Sequence, residues 1–114
     1  VIKRIIKFFF EEKMMSVQNQ IEEILTKNKV VLFMKGTANF PMCGFSARAT
    51  SILQDIGVEF FTVNVLDDEN IREGIKVYGN WPTIPQLYIN KQLVGGSDIM
   101  MEMYQTGELQ EALK

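Results

Sequence analysis

The sequence predicts an α/β fold in which a small mixed four-stranded sheet is flanked by helices, and three observations predict it. Two short β-rich runs, Val30–Met34 and Glu59–Val65, are joined by a segment whose apolar residues recur at helical spacing, and strands joined through a helix run parallel by the right-handed crossover rule. Two later runs, Gln86–Ile89 and Gln92–Val94, are separated only by Asn90-Lys91, which makes them an antiparallel hairpin. The 114 residues, 46% apolar and 23% charged, suit one compact domain with a single core.

The first ten residues, VIKRIIKFFF, set Lys3, Arg4 and Lys7 among isoleucines and phenylalanines. The cations interrupt a run too short to span a bilayer, and no small-residue cleavage site follows, so neither a transmembrane segment nor a secretory signal is expected. Ile2, Ile5, Ile6 and Phe9 recur at helical spacing, as in an amphipathic helix lying on a membrane or on the domain. Residues 1–15 are read as an extension outside the functional domain, with Met15 as an alternative start. From Ser16, an expected N-cap, Val17, Ile21, Ile24 and Leu25 mark one helical face. Val30–Met34 is apolar throughout, as in a strand covered on both faces. Lys35-Gly36-Thr37 ends it and opens a loop through Pro41. After Cys43, the residues Phe45, Ala49, Ile52, Leu53 and Ile56 return to helical spacing, and Gly57 is a C-terminal stop.

The second strand follows, and Asp67 or Asp68 is expected to cap a third helix whose Ile71, Ile75 and Tyr78 share a face, ending at Gly79-Asn80. Trp81-Pro82-Thr83-Ile84-Pro85 is not helical, because its two prolines remove donors and push the residues before them toward extended geometry. Beyond the hairpin, Gly95-Gly96 breaks the strand, Ser97 or Asp98 is expected to cap a fourth helix, and Gly107 separates that helix from a last one reaching Leu113.

Cys43 is the only cysteine, and in Cys43-Gly44-Phe45-Ser46 a serine stands where redox proteins usually keep a second thiol. No disulfide can close within the chain, which suits a reducing compartment, the cytoplasm or alternatively an organelle matrix. The absence of histidine excludes an imidazole base and a Cys-His pair. A formal charge of -2 argues against general nucleic-acid binding. Cys43 precedes a helix, where free N–H groups and the helix dipole favour a thiolate. Lys35 is the nearest candidate for a supporting cation. Taken alone, Cys43 is also readable as a small buried hydrophobe, Lys35 as a solvated strand-end charge, and Ser97-Asp98 as an ordinary cap.

The successive motifs Lys35-Gly36-Thr37, Cys43-Gly44-Phe45-Ser46, WPTIPQLYI from Trp81 and LVGGSD from Leu93 resemble, in order and spacing, those of the monothiol glutaredoxins of the CGFS type. The resemblance covers about residues 17 to 113, so residues 16–114 are identified as a glutaredoxin domain of thioredoxin-like fold. Ala38 stands where the family often has proline, and Lys91 where it commonly has glycine. The resemblance implies that Cys43 is the catalytic thiol, and that Lys35, Arg72, the cis-proline segment Thr83, Ile84 and Pro85, and Ser97 and Asp98 bind glutathione. It further implies that Cys43 ligates a [2Fe-2S] cluster shared between two subunits, with two glutathione thiols completing the site. The expected function is therefore iron-sulfur cluster transfer or iron sensing by a cluster-bound homodimer, serving recipient proteins or pairing with a BolA-like protein. The alternative is a glutathione-dependent thiol-disulfide oxidoreductase acting on glutathionylated proteins.

Overall fold

A computed structural model describes all 114 residues. In chain order the elements are α1 (Ile2–Lys27), β1 (Val30–Met34), α2 (Gly44–Ile56), β2 (Phe61–Asn64), α3 (Glu69–Gly79), β3 (Gln86–Ile89), β4 (Gln92–Gly95), α4 (Ser97–Thr106) and α5 (Glu108–Ala112). The sheet order is β2-β1-β3-β4. β1 runs parallel to β2, with Leu32 opposite Thr62, and antiparallel to β3, with Leu32 opposite Leu87. The β3–β4 hairpin is antiparallel.

The alternation of side chains along β1 explains why every one of its residues is apolar. Val30, Leu32 and Met34 enter a core with Leu53 of α2, Met100 of α4 and Leu109 of α5, whereas Val31 and Phe33 enter a second core with Val17 and Ile21 of α1 and Ile75 of α3. The sheet thus separates a layer of α2, α4 and α5 from a layer of α1 and α3.

Three local expectations are corrected. Ser16 caps nothing: α1 runs unbroken from Ile2, because no glycine or proline interrupts it and its Ile, Lys, Glu and Met residues are all compatible with helix. Its buried residues, Val17, Ile21 and Leu25, lie only in the second half. The N-cap of α4 is Gly96, without a side-chain cap, and neither Ser97 nor Asp98 serves; Ser97 is buried within the first turn and Asp98 pairs with Arg48 at 3.5 Å. Phe45 leaves the core stripe of α2 and is 58% exposed, since it lies in the helix's first turn and lines a surface cleft instead of the core. Of the two aspartates before α3, Asp68 is the cap, its Oδ1 accepting from the amides of Asn70 (2.9 Å) and Ile71 (3.3 Å).

Candidate functional site

The loop between β1 and α2 is a small hydrogen-bonded arm. Thr37 and Phe40 exchange backbone hydrogen bonds at 3.1 Å, and the Met42 amide returns to the Lys35 carbonyl at 2.9 Å. Gly36 takes φ 90°, and a Cβ there would lie 2.4 Å from the Phe40 carbonyl oxygen, so the turn needs glycine on both counts. Asn64 Oδ1, at the end of β2, accepts the Gly36 amide at 2.9 Å and the Leu66 amide at 3.0 Å, fastening the arm to the sheet.

The arm delivers Cys43 as the N-cap of α2, with extended backbone and a half-buried thiol. The Ser46 amide donates to Cys43 Sγ at 3.3 Å, and the Cys43 thiol lies 3.3 Å from Ser46 Oγ, to which it donates when protonated. Burial pushes the thiol up, but the Ser46 hydroxyl, the Ser46 and Phe45 amides and the Lys35 charge together outweigh it, so Cys43 is lowered below the ordinary thiol value. Ser46 is therefore more than an absent thiol. It is fully buried, and its Oγ also accepts the Lys35 amide at 3.0 Å, joining the end of β1 to the first turn of α2.

Beside this thiol lies a cleft of about 430 Å³ that brings together Lys35, Arg72, Thr83, Ile84, Pro85, Ser97 and Asp98, every cleft residue named from the sequence. Cys43 itself is not one of its walls; it borders the cleft through its neighbour Phe45 and through Lys35. The Ile84-Pro85 peptide is cis. Lys35, Arg72 and Lys76 give the cleft a cationic wall, while Arg72 and Lys76 also meet Glu69 at 3.7 Å and Glu73 at 3.3 Å. Two donors, Arg72 Nε and Trp81 Nε1, are buried there without a hydrogen-bond partner, a state that costs free energy until an acceptor arrives.

The sequence reading missed Lys76 and Gln86. Lys76 lies one helical turn beyond Arg72 on α3, a spacing that carries both cations to the same wall. Gln86 is fully buried and donates through Nε2 to the carbonyls of Trp81 (3.0 Å) and Thr83 (3.2 Å), while its Oε1 accepts from the Tyr88 hydroxyl at 2.8 Å. It clamps the Trp81–Pro85 segment to β3. A lone amide after Pro85, opening the otherwise apolar run Leu87-Tyr88-Ile89, was the available signal.

The family model described as Glutaredoxin matches residues 30–94. An uncharacterized monothiol glutaredoxin of Synechocystis sp. is 57% identical over 95 residues, covering 83% of this chain and 89% of that protein. The chloroplastic monothiol glutaredoxin-S14 of Arabidopsis thaliana is 50% identical, covering 86% of this chain and 57% of the relative. The mitochondrial glutaredoxin-related protein 5 of Danio rerio is 51% identical, covering 85% of this chain and 63% of the relative. Among solved structures, reduced poplar apo GrxS14 superposes with a TM-score of 0.73 at 49% identity, covering 82% of this chain and 85% of that one. A buckwheat glutaredoxin–glutathione complex, 22% identical, shares the fold at a TM-score of 0.81, covering 90% of this chain and 92% of that one. One cysteine on a helix N-terminus, a sheet of this order and these relatives agree: the chain belongs to the glutaredoxin family, with the monothiol glutaredoxins.

Proposed function

We propose that the protein binds glutathione in the cleft and, as a pair of chains, carries a [2Fe-2S] cluster as exchangeable cargo. The observation that carries this reading is a lone, lowered-pKa thiol at the edge of a cationic cleft with two unpartnered buried donors. Glutathione fits those groups: its carboxylates suit Lys35, Arg72 and Lys76, its amide oxygens suit Arg72 Nε and Trp81 Nε1, and its thiol would stand by Cys43. Thiolates are the soft ligands that hold iron-sulfur clusters, usually four to a cluster. This chain has one cysteine and gathers no group of three His, Cys, Asp or Glu side chains for a metal ion. Two chains and two glutathiones supply four sulfurs, and two of the four ligands then exchange freely, which favours handing a cluster on. Delivery to recipient iron-sulfur proteins, and a heterodimer with a BolA-like protein, extend the same proposal. The compartment we propose is a reducing one, cytoplasm or organelle matrix, where an unpaired thiol persists.

Reconstitution with iron, sulfide and glutathione tests it. The expected product is a dimer with one [2Fe-2S] cluster, sharply diminished when glutathione is omitted. A stable clustered monomer, or full occupancy in Cys43→Ser, overturns the reading.

The lowered Cys43 pKa also favours a second reading, that of a reductase. The Cys43 thiolate attacks the glutathione sulfur of a glutathionylated protein, forming a mixed disulfide and releasing the protein thiolate. A second glutathione thiolate then attacks that mixed disulfide, giving oxidised glutathione and regenerating Cys43. Turnover as fast as a dithiol glutaredoxin assayed beside it would make this the primary function.

A further inference from the structure

The first half of α1 takes no part in the site or in either core. Ile2 (72% exposed), Ile5 (49%), Ile6 (62%) and Phe9 (62%) leave an apolar stripe bare. The domain's own packing does not explain it. At 3.6 residues per turn, the stripe that packs on the domain through Val17 continues toward the N-terminus along Met14 and Phe10 into Lys7 and Lys3. Ile2, Ile5 and Phe9 therefore lie on a different face, about a third of a turn away. The helix carries them clear of the domain, in a molecule 55 Å long but only 25 by 21 Å across.

Charge chooses the occupant. Lys3, Arg4 and Lys7 occupy the polar side of the same turns, and none of residues 1–10 is acidic. Only Lys7 has an acidic partner, Glu11 at 3.9 Å, and that pair is largely exposed and so weak. A bare Ile/Phe stripe backed by unneutralised cations complements a surface that is apolar inside and negative outside. We propose that residues 2–10 of α1 lie on anionic membrane surfaces, the Ile/Phe stripe seated at the acyl boundary and Lys3, Arg4 and Lys7 among the lipid headgroups. The helix lies on the bilayer, since no helix of the chain is long and apolar enough to cross one.

Co-sedimentation of the full chain with phosphatidylcholine vesicles, with and without phosphatidylglycerol, tests this. Binding is expected to the mixed vesicles and to fall as salt is raised. Neutralising Lys3, Arg4 and Lys7 to glutamine should lower partitioning by about fivefold per cation, and Ile5→Ser with Phe9→Ser should abolish it. These side chains are exposed, so circular dichroism and glutathione binding should not change in either variant, which separates this test from that of the cluster proposal. Absence of vesicle binding, equal binding to neutral vesicles, or binding that survives both sets of substitutions overturns the proposal. So does concentration-dependent self-association abolished by Ile5→Ser with Phe9→Ser in a chain that ignores vesicles, because a second copy would then cover the stripe.

Discussion

Ser46 sets the chemistry of Cys43 more than Lys35 does. Its hydroxyl, fully buried, meets both the thiol at 3.3 Å and the Lys35 amide at 3.0 Å, so one oxygen can donate to a thiolate while accepting from the backbone. Ser46→Ala should therefore move the alkylation profile of Cys43 to higher pH and, by stranding the Lys35 amide, cost about 1–3 kcal/mol of stability. A profile that stays in place would mean that the amides and Lys35 alone hold the thiolate. Gln86 acts on the other side of the cleft. Gln86→Leu leaves the Trp81 and Thr83 carbonyls and the Tyr88 hydroxyl unpaired, so it should destabilise by about 2–4 kcal/mol and weaken glutathione binding, read by calorimetry beside a denaturant titration. Cys43, Lys35 and the Thr83–Pro85 segment were legible from motif spacing, because each sits at an element boundary that the sequence marks, whereas Arg72, inside α3, was reached only through the family resemblance. The roles of Ser46 and Gln86 were not, because each depends on a hydrogen bond whose partner is fixed only when strands and loops come together.

At the scale of elements, the most telling contact is that between α1 and α3. Gln18 Nε2 donates to the Gly74 carbonyl at 2.8 Å, and a Cβ on Gly74 would lie 2.3 Å from Val17 Cγ1. Alanine would gain about 1 kcal/mol in helix propensity, yet the overpacking against a stiff, buried valine costs about 1–3 kcal/mol. Gly74→Ala should thus be net destabilising by up to about 2 kcal/mol, and adding Val17→Ala should recover part of the loss. A stabilised single variant would show that the helices part freely. Elements with a two-sided or strongly periodic apolar pattern, β1, α2 and α3, were readable because burial dictates them residue by residue. The start of α1 and the cap of α4 were not. A serine signals an N-cap only when the preceding residues leave the helix, which those before Ser16 do not, and Gly96 takes the cap by backbone conformation, extended at φ -92° and ψ -168°.

Glu22 connects parts of the whole molecule that the sheet alone does not join. From α1 its carboxylate accepts from the Tyr78 hydroxyl of α3 and pairs with Lys91 in the β3–β4 turn. Lys91 holds a left-handed φ of 69°, where glycine sits more easily, and its side chain ties that turn to the helix layer. Lys91 first, then Tyr78, holds the Glu22 carboxyl below the usual carboxylate value against a smaller opposing effect of burial. Reciprocally, burial and Glu22 push the Tyr78 hydroxyl up to about 12, so it remains a donor at neutral pH. The sign of the linkage follows. A carboxyl lowered on folding stabilises above its unfolded pKa, and the contribution is lost as pH falls through the folded one. Thermal melts of the protein and of Glu22→Gln should therefore differ by a constant amount from neutral pH down to the upper edge of the carboxylate range. The difference should then close as acid protonates Glu22, because a protonated carboxyl and an amide present similar groups to Tyr78 and neither attracts Lys91. Added salt should shrink the neutral-pH difference in part, since both side chains remain about half exposed. A difference that widens in acid, or one that Lys91→Gln leaves unchanged in the Glu22 background, would show that this bridge does not join the two helices to the hairpin.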